Sequence, residues 1–300
     1  MERTVFFEGN APRIVKYRLM HCRRIVQLVL LVAGITRSGI SADFVSVVVT
    51  TSLLEQAVYD VSEHDPGIRV NRLIPPGACP GHFDLSPDML PVLKSAHVLI
   101  LHDFQKGLEN KIRKRFGSGL RTLIIESPGS HLIPGNYLRI LRKVSDALPD
   151  IESVKRGRIE ARLSRLEERC QTISKHMRET AVSWKNFPVI VSVQQAHFAQ
   201  WLGFRVTGIL RSPEHMSPPE LTALIQSQAQ MILCNLQGGI HAAENLGIRM
   251  NIPVAVISNF PDAGGFGNGY ESLVDHNLKR IAEAVARISR KPASLHKKRK

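Results

Sequence analysis

The chain has 300 residues, of which 43% are hydrophobic, and carries a formal net charge of +14. That is enough apolar material for one large or two medium cores, while an aromatic content of only 6% argues against a stacking surface for single-stranded nucleic acid. Residues 1–42 contribute +5 and residues 291–300 another +5, leaving only +4 for the body between them, so no nucleic-acid partner is expected.

At the N-terminus, Arg23 and Arg24 precede an apolar run from Ile25 to Ile35, and "SGISA" then ends on the small residue Ala42. A basic flank, a short apolar core and a small-residue exit are the parts of a secretory signal, expected over 1–42, with Met20 as a second candidate start. The run is too short to span a bilayer comfortably, and no Cys follows it to take a lipid. A periplasmic or extracellular location follows. Loss of the signal removes Cys22 and leaves Cys79, Cys170 and Cys234, an odd number that makes no disulfide framework, though an oxidising compartment permits one pair that the sequence does not choose.

From 43 to 148, β-rich apolar runs at Phe44–Thr50, Ile68–Ile74, His97–Leu101 and Arg121–Glu126 alternate with helical segments such as Ser86–Ala96. Near-continuous Val/Ile/Leu runs are the mark of strands covered by helices on both faces. The span 149–186 differs. Ile159, Leu163, Leu166, Cys170, Ile173 and Met177 recur at steps of three and four, one apolar stripe on a long helix. The start is expected at Pro149 and Asp150 and the end at Asn186 to Pro188. A coiled-coil dimer is a competing use of such a stripe, but it lasts under three heptads. From 187 to 290 the first pattern returns, with strands at Pro188–Val193, Arg205–Leu210, Gln230–Cys234 and Pro253–Ser258 and a helix at Pro218–Gln228. Ser86-Pro87 and Ser217-Pro218 suit an N-cap followed by Pro at the first helical position. The basic tail 291–300 is expected to be solvated. The fold class is therefore α/β: two parallel-sheet lobes joined by a long backbone helix, with a ligand cleft between the lobes.

Open parallel sheets bind ligands beyond the carboxyl ends of their strands, and the polar residues of this chain collect there. In the first half these are Thr50, Thr51 and Ser52, then Cys79, His82 and Asp84, then His102 and Asp103, and finally His131. In the second half they are Gln194 and Gln195, then Arg211, Glu214 and His215, then Asn235 and Gln237, and finally Asn259 and Asp262. Each has a plainer use: loop amides satisfy backbone groups, His82 can cap the helix after it, and Cys79 and Cys234 can be inert small residues. A nucleophilic enzyme is disfavoured, because Cys79, His82 and Asp84 share one short Pro/Gly loop with no independent base. No P-loop, G-x-S-x-G or H-E-x-x-H motif occurs. No catalytic residue and no organic cofactor are assigned.

The stretches "TTSLLEQAV", "LIPPGACPGHFDLSP", "SAHVLILH", "SPGSHLIPGNYLRILRKVSDALP" and "YESLVDHNLKRIAEA", in this order and spacing, resemble the zinc/manganese-type ABC transporter substrate-binding proteins, the TroA-like family. The resemblance covers Phe44 to about Ala286. It implies a monomeric binding protein that delivers a transported Zn or Mn ion to an ABC permease. The family's first ligand His falls on Gly81, with His82 one step later; its second falls on His131. Its third and fourth ligand positions fall on Gln195 and Asn259. The expected metal set is thus His82, His131, Gln195 and Asn259, with Asp84 or Cys79 as a further donor. Gln195, Asn235, Gln237, Cys79 and Asp84 are the expected solute contacts. Amides are weak ligands for zinc, so a metal chelate, a siderophore- or cobalamin-like molecule or another small polar solute is the alternative cargo.

Overall fold

A computed structural model describes residues 44–117, 119–127, 129–148 and 153–289. The expected signal segment, the helix start at Pro149 and Asp150 and the basic tail lie outside these residues. The first half runs β1 (Val45–Val49), α1 (Ser52–Ser62), β2 (Ile68–Arg72), α2 (Leu90–Lys94), β3 (Val98–His102), α3 (Lys106–Phe116), β4 (Arg121–Ile125) and α4 (Pro134–Ala147). The long helix α5 (Ser153–Thr180) follows. The second half runs β5 (Pro188–Ser192), α6 (Ala196–Trp201), β6 (Arg205–Leu210), α7 (Pro218–Gln226), β7 (Met231–Asn235), α8 (His241–Met250), β8 (Val254–Ile257) and α9 (Tyr270–Ser289).

All eight expected strands are present, to within two residues at each end. They form two four-stranded sheets with the orders β2-β1-β3-β4 and β6-β5-β7-β8, parallel in every pairing. Three helices depart from expectation. The long helix, expected to end at Asn186 to Pro188, gives way after Thr180 to a 3-10 turn over Ala181–Trp184. Ser86–Ala96 splits into a 3-10 turn over Pro87–Met89 and the short α2, because Pro91 has no N–H to return to the Pro87 carbonyl. The helix begun at Pro218 ends at Gln226, and Gln228 takes a φ of +57° that no right-handed helix continues through.

Burial on both faces explains the strand sequences. Val47, Val49, Val98 and Ile100 face one cluster, whereas Val48, Leu99 and Leu101 face another beneath α2 and α3. In the second sheet Val189 and Val191 join the first cluster and Ile190 packs toward α7 and α8. The cluster shared by the two sheets contains Leu166, Cys170, Ile173 and Met177 of α5, with Ile159 and Leu163 partly buried against it. The stripe thus serves a core within one chain. Each such side chain contributes roughly 1.5–3 kcal/mol through burial. The lobes also meet through Tyr137 of α4 and Tyr270 of α9, whose rings stack 3.8 Å apart. Arg169 of α5 ties Glu271 at 3.0 Å and approaches Asp60 at 3.8 Å.

Candidate functional site

Among the described residues, four polar contacts join the carboxyl ends of the two sheets. Ser52 Oγ donates to the Pro261 carbonyl at 2.7 Å, and Gln237 Nε2 donates to the Pro76 carbonyl at 3.2 Å. Tyr270 Oη donates to the His131 carbonyl at 3.1 Å. Arg72, paired with Glu55, lies 3.6 Å from Asp262. Of the strand-end residues singled out in the sequence, Ser52, His131, Gln237 and Asp262 take part in this junction between the lobes.

On the first lobe the junction presents imidazoles. His102 ends β3 and is fully buried. Its Nε2 lies 3.0 Å from Thr51 Oγ1, and the same oxygen accepts from the Leu54 N–H to cap α1. His102 heads a 3-10 turn, with its backbone N–H donating to Gln105 Oε1 at 3.0 Å. Its Nδ1 has no hydrogen-bond partner. The ring lies 4.8 Å from that of His131 and stacks on Phe104 at 4.9 Å; Phe260 of the other lobe lies 6.3 Å away. Burial, and secondarily the neighbouring His131, hold the His102 imidazole well below its ordinary pKa. Burial likewise lowers His131 to about 4, against a smaller upward pull from Asp103. Both rings are neutral at pH 7, the form that ligates a metal.

On the second lobe the same position presents amides and hydroxyls. Gln195 is fully buried; its Nε2 donates to Asn259 Oδ1 at 2.7 Å and its Oε1 accepts from Ser192 Oγ at 2.8 Å. Ser192 Oγ also lies 3.4 Å from Asn235 Oδ1. Gln237 Nε2 donates to Ser258 Oγ at 2.8 Å, and Gln237 Oε1 accepts from the Asn259 N–H at 3.2 Å. Asn277 of α9 closes the network, accepting from the Ser258 N–H at 2.9 Å and donating to the Ser258 carbonyl at 2.8 Å. These groups satisfy one another, as buried polar groups must.

The remaining expected site residues lie apart from the imidazole pair. His82 is exposed on the loop after β2, within electrostatic reach of Glu214. The Glu214 carboxyl is lowered chiefly by its own backbone amide and, to smaller extents, by Ser212, His215 and His82. Asp84 is exposed and bonded to Lys111 at 2.8 Å and to the Leu85 N–H at 2.7 Å. Cys79 is a part-exposed free thiol, while Cys234 is buried, which pushes its thiol up to about 12. Among the described residues, no three His, Cys, Asp or Glu side chains gather as a metal cluster. The sequence reading named His102 only among the strand-end residues and left it out of the expected metal set. His102 was legible as a strand-end His, but its burial beside His131 and its contact with Thr51 depend on distant parts of the chain.

A family model described as "Zinc-uptake complex component A periplasmic" (ZnuA) matches residues 47–284. Among solved structures, a ZnuA superposes with a TM-score of 0.66 at 16% identity, over 81% of this chain and 99% of its own. A periplasmic zinc-binding protein TroA from Treponema pallidum gives 0.68 at 14% identity, over 81% and 99%. A Mn-bound periplasmic metal-binding protein from Candidatus Liberibacter asiaticus gives 0.67 at 12% identity, over 80% and 98%. At these identities the likeness to each structure is one of fold. No curated protein matches the chain significantly by sequence.

Proposed function

The chain belongs to the family of periplasmic zinc-uptake component A proteins, and on that premise we propose that it is the extracytoplasmic solute-binding component of an ABC importer. It captures a divalent transition-metal ion at the strand ends between its lobes and passes it to a permease. The observation that carries this reading is the pair of neutral imidazoles, His102 and His131, side by side at that junction. Imidazole suits zinc and its late first-row neighbours, and zinc and manganese are the metals named for the similar structures.

His131 is the anchor of the proposed site, with the paired amides of Gln195 and Asn259 on the opposite lobe as its neutral wall. Two nitrogens leave a zinc-like ion short of its usual four ligands, so water or a ligand carried by the ion completes the shell. That shortage favours a second reading, in which the cargo is a metal already held by a small chelator. Equilibrium dialysis of the secreted chain with elemental analysis tests the function. The expected result is one zinc per chain at micromolar concentration, lost in His131→Ala. No metal bound, free or chelated, contradicts it.

A further inference from the structure

We propose that His102 is itself a cation ligand, the second imidazole of a two-histidine site with His131, and that Thr51 is the positioning residue that fixes its tautomer. The proposal rests on the metal-capture reading and names the residue that takes up the work left by Gly81.

A fully buried imidazole with a free nitrogen is uncommon, because buried polar atoms find partners. His102 has one ring nitrogen tied to Thr51 Oγ1 at 3.0 Å and the other without a partner. Two tautomers meet that description. If Thr51 donates to Nε2, the orphan Nδ1 carries a buried N–H, the costlier group to leave unpaired. If Nε2–H donates to Thr51, the orphan is a lone pair. The second arrangement is the cheaper one, and it is the arrangement of a metal-bound histidine: one nitrogen donates its N–H to an oxygen, fixing the ring, while the other faces the ion.

The neighbour is right for the same purpose. The His131 ring lies 4.8 Å from that of His102, tilted by 44°. Rings bound in line through one ion would stand about 6 Å apart, given metal–nitrogen bonds of about 2.0–2.1 Å. The closer spacing fits a bent pair and excludes a linear two-coordinate ion. Phe104 and Phe260 flank the pair, and the nearest carboxylate in sequence, Asp103, already accepts from the Ser127 N–H at 3.2 Å. An imidazole-led donor set, with one Asp103 oxygen already engaged, suits zinc-like ions better than manganese, which favours oxygen ligands. The plainer role for His102 is structural, since it heads the turn to Gln105.

Imidazole-nitrogen NMR on chain labelled with 15N-histidine separates the two roles without altering the fold. The apo protein is expected to show His102 protonated at Nε2 and bare at Nδ1, and one equivalent of Zn²⁺ should shift Nδ1 of His102 together with one nitrogen of His131. Thr51→Val should weaken zinc binding by roughly 10–100-fold, the usual effect of removing a ligand's supporting partner, with the circular dichroism spectrum retained. His102→Gln should weaken binding further, and His82→Ala should leave it unchanged. Zinc that binds and moves His131 while the His102 nitrogens stay still, with Thr51→Val neutral, reduces His102 to a turn cap and overturns the proposal. Wild-type protein that binds no zinc overturns the capture reading itself.

Discussion

The two lobes are one scaffold used for two chemistries. Val98 pairs with Val47 as Met231 pairs with Val189, and counting from that register sets His102 opposite Asn235 and Thr50 opposite Ser192. Around those equivalent positions one lobe carries two neutral imidazoles, one with a nitrogen to spare, and the other carries amides and hydroxyls that satisfy each other. The backbone thus fixes where a ligand is met, and a few side chains at the strand ends decide what each lobe offers. On the proposed function, the first lobe would grip the ion and the second would cover it.

Several substitutions can break that contrast. The largest effect is expected for His131→Ala on the gripping side, which should abolish zinc binding at micromolar concentration by dialysis while leaving the melting temperature near that of the parent. On the covering side the expectation reverses. Asn277→Leu leaves the backbone N–H and carbonyl of Ser258 unpaired, which should cost roughly 1–3 kcal/mol for each group in a urea titration. Asn259→Leu, which strips the Gln195 amide of its acceptor, should cost about 1–3 kcal/mol on the same scale, with zinc affinity changed less than tenfold. A larger loss of affinity would promote that amide to a ligand and erase the division between the lobes.

Acid should act on the first lobe. The folded-state pKa values of His102 and His131 are depressed, so the native state holds fewer protons than the unfolded chain. Their contribution is fully present above the unfolded value of about 6.5, and falls away as the pH drops from there toward about 4. Melts of the metal-free chain should decline across that window, and His131→Gln should flatten the decline. The smallest effect is expected at the exposed Arg142–Glu167 pair, where Arg142→Ala should cost no more than about 0.5 kcal/mol.

The scaffold was legible because burial on both faces writes strands as unbroken Val/Ile/Leu runs, and because a helix crossing one core repeats its apolar residues every three or four positions. The site was legible only as a set of strand ends. His102 is a partner of Thr51 across 51 residues and Gln195 of Asn259 across 64, separations at which local pattern carries no information on which side chain bonds which. The resemblance to known binding proteins pointed to the loop after β2 for a first ligand. There, Pro75, Pro76, Pro80, Gly77 and Gly81 shape a segment that leaves His82 exposed, while the imidazole beside His131 comes from the neighbouring strand.

Anomalous diffraction at the zinc edge from crystals grown with one equivalent of zinc tests the central claim most directly. The account predicts a single peak at the junction of the lobes, at bonding distance, about 2.0–2.1 Å, from His131 and Nδ1 of His102. A peak held by His82 and Glu214 at the rim, or no peak at all, would contradict it.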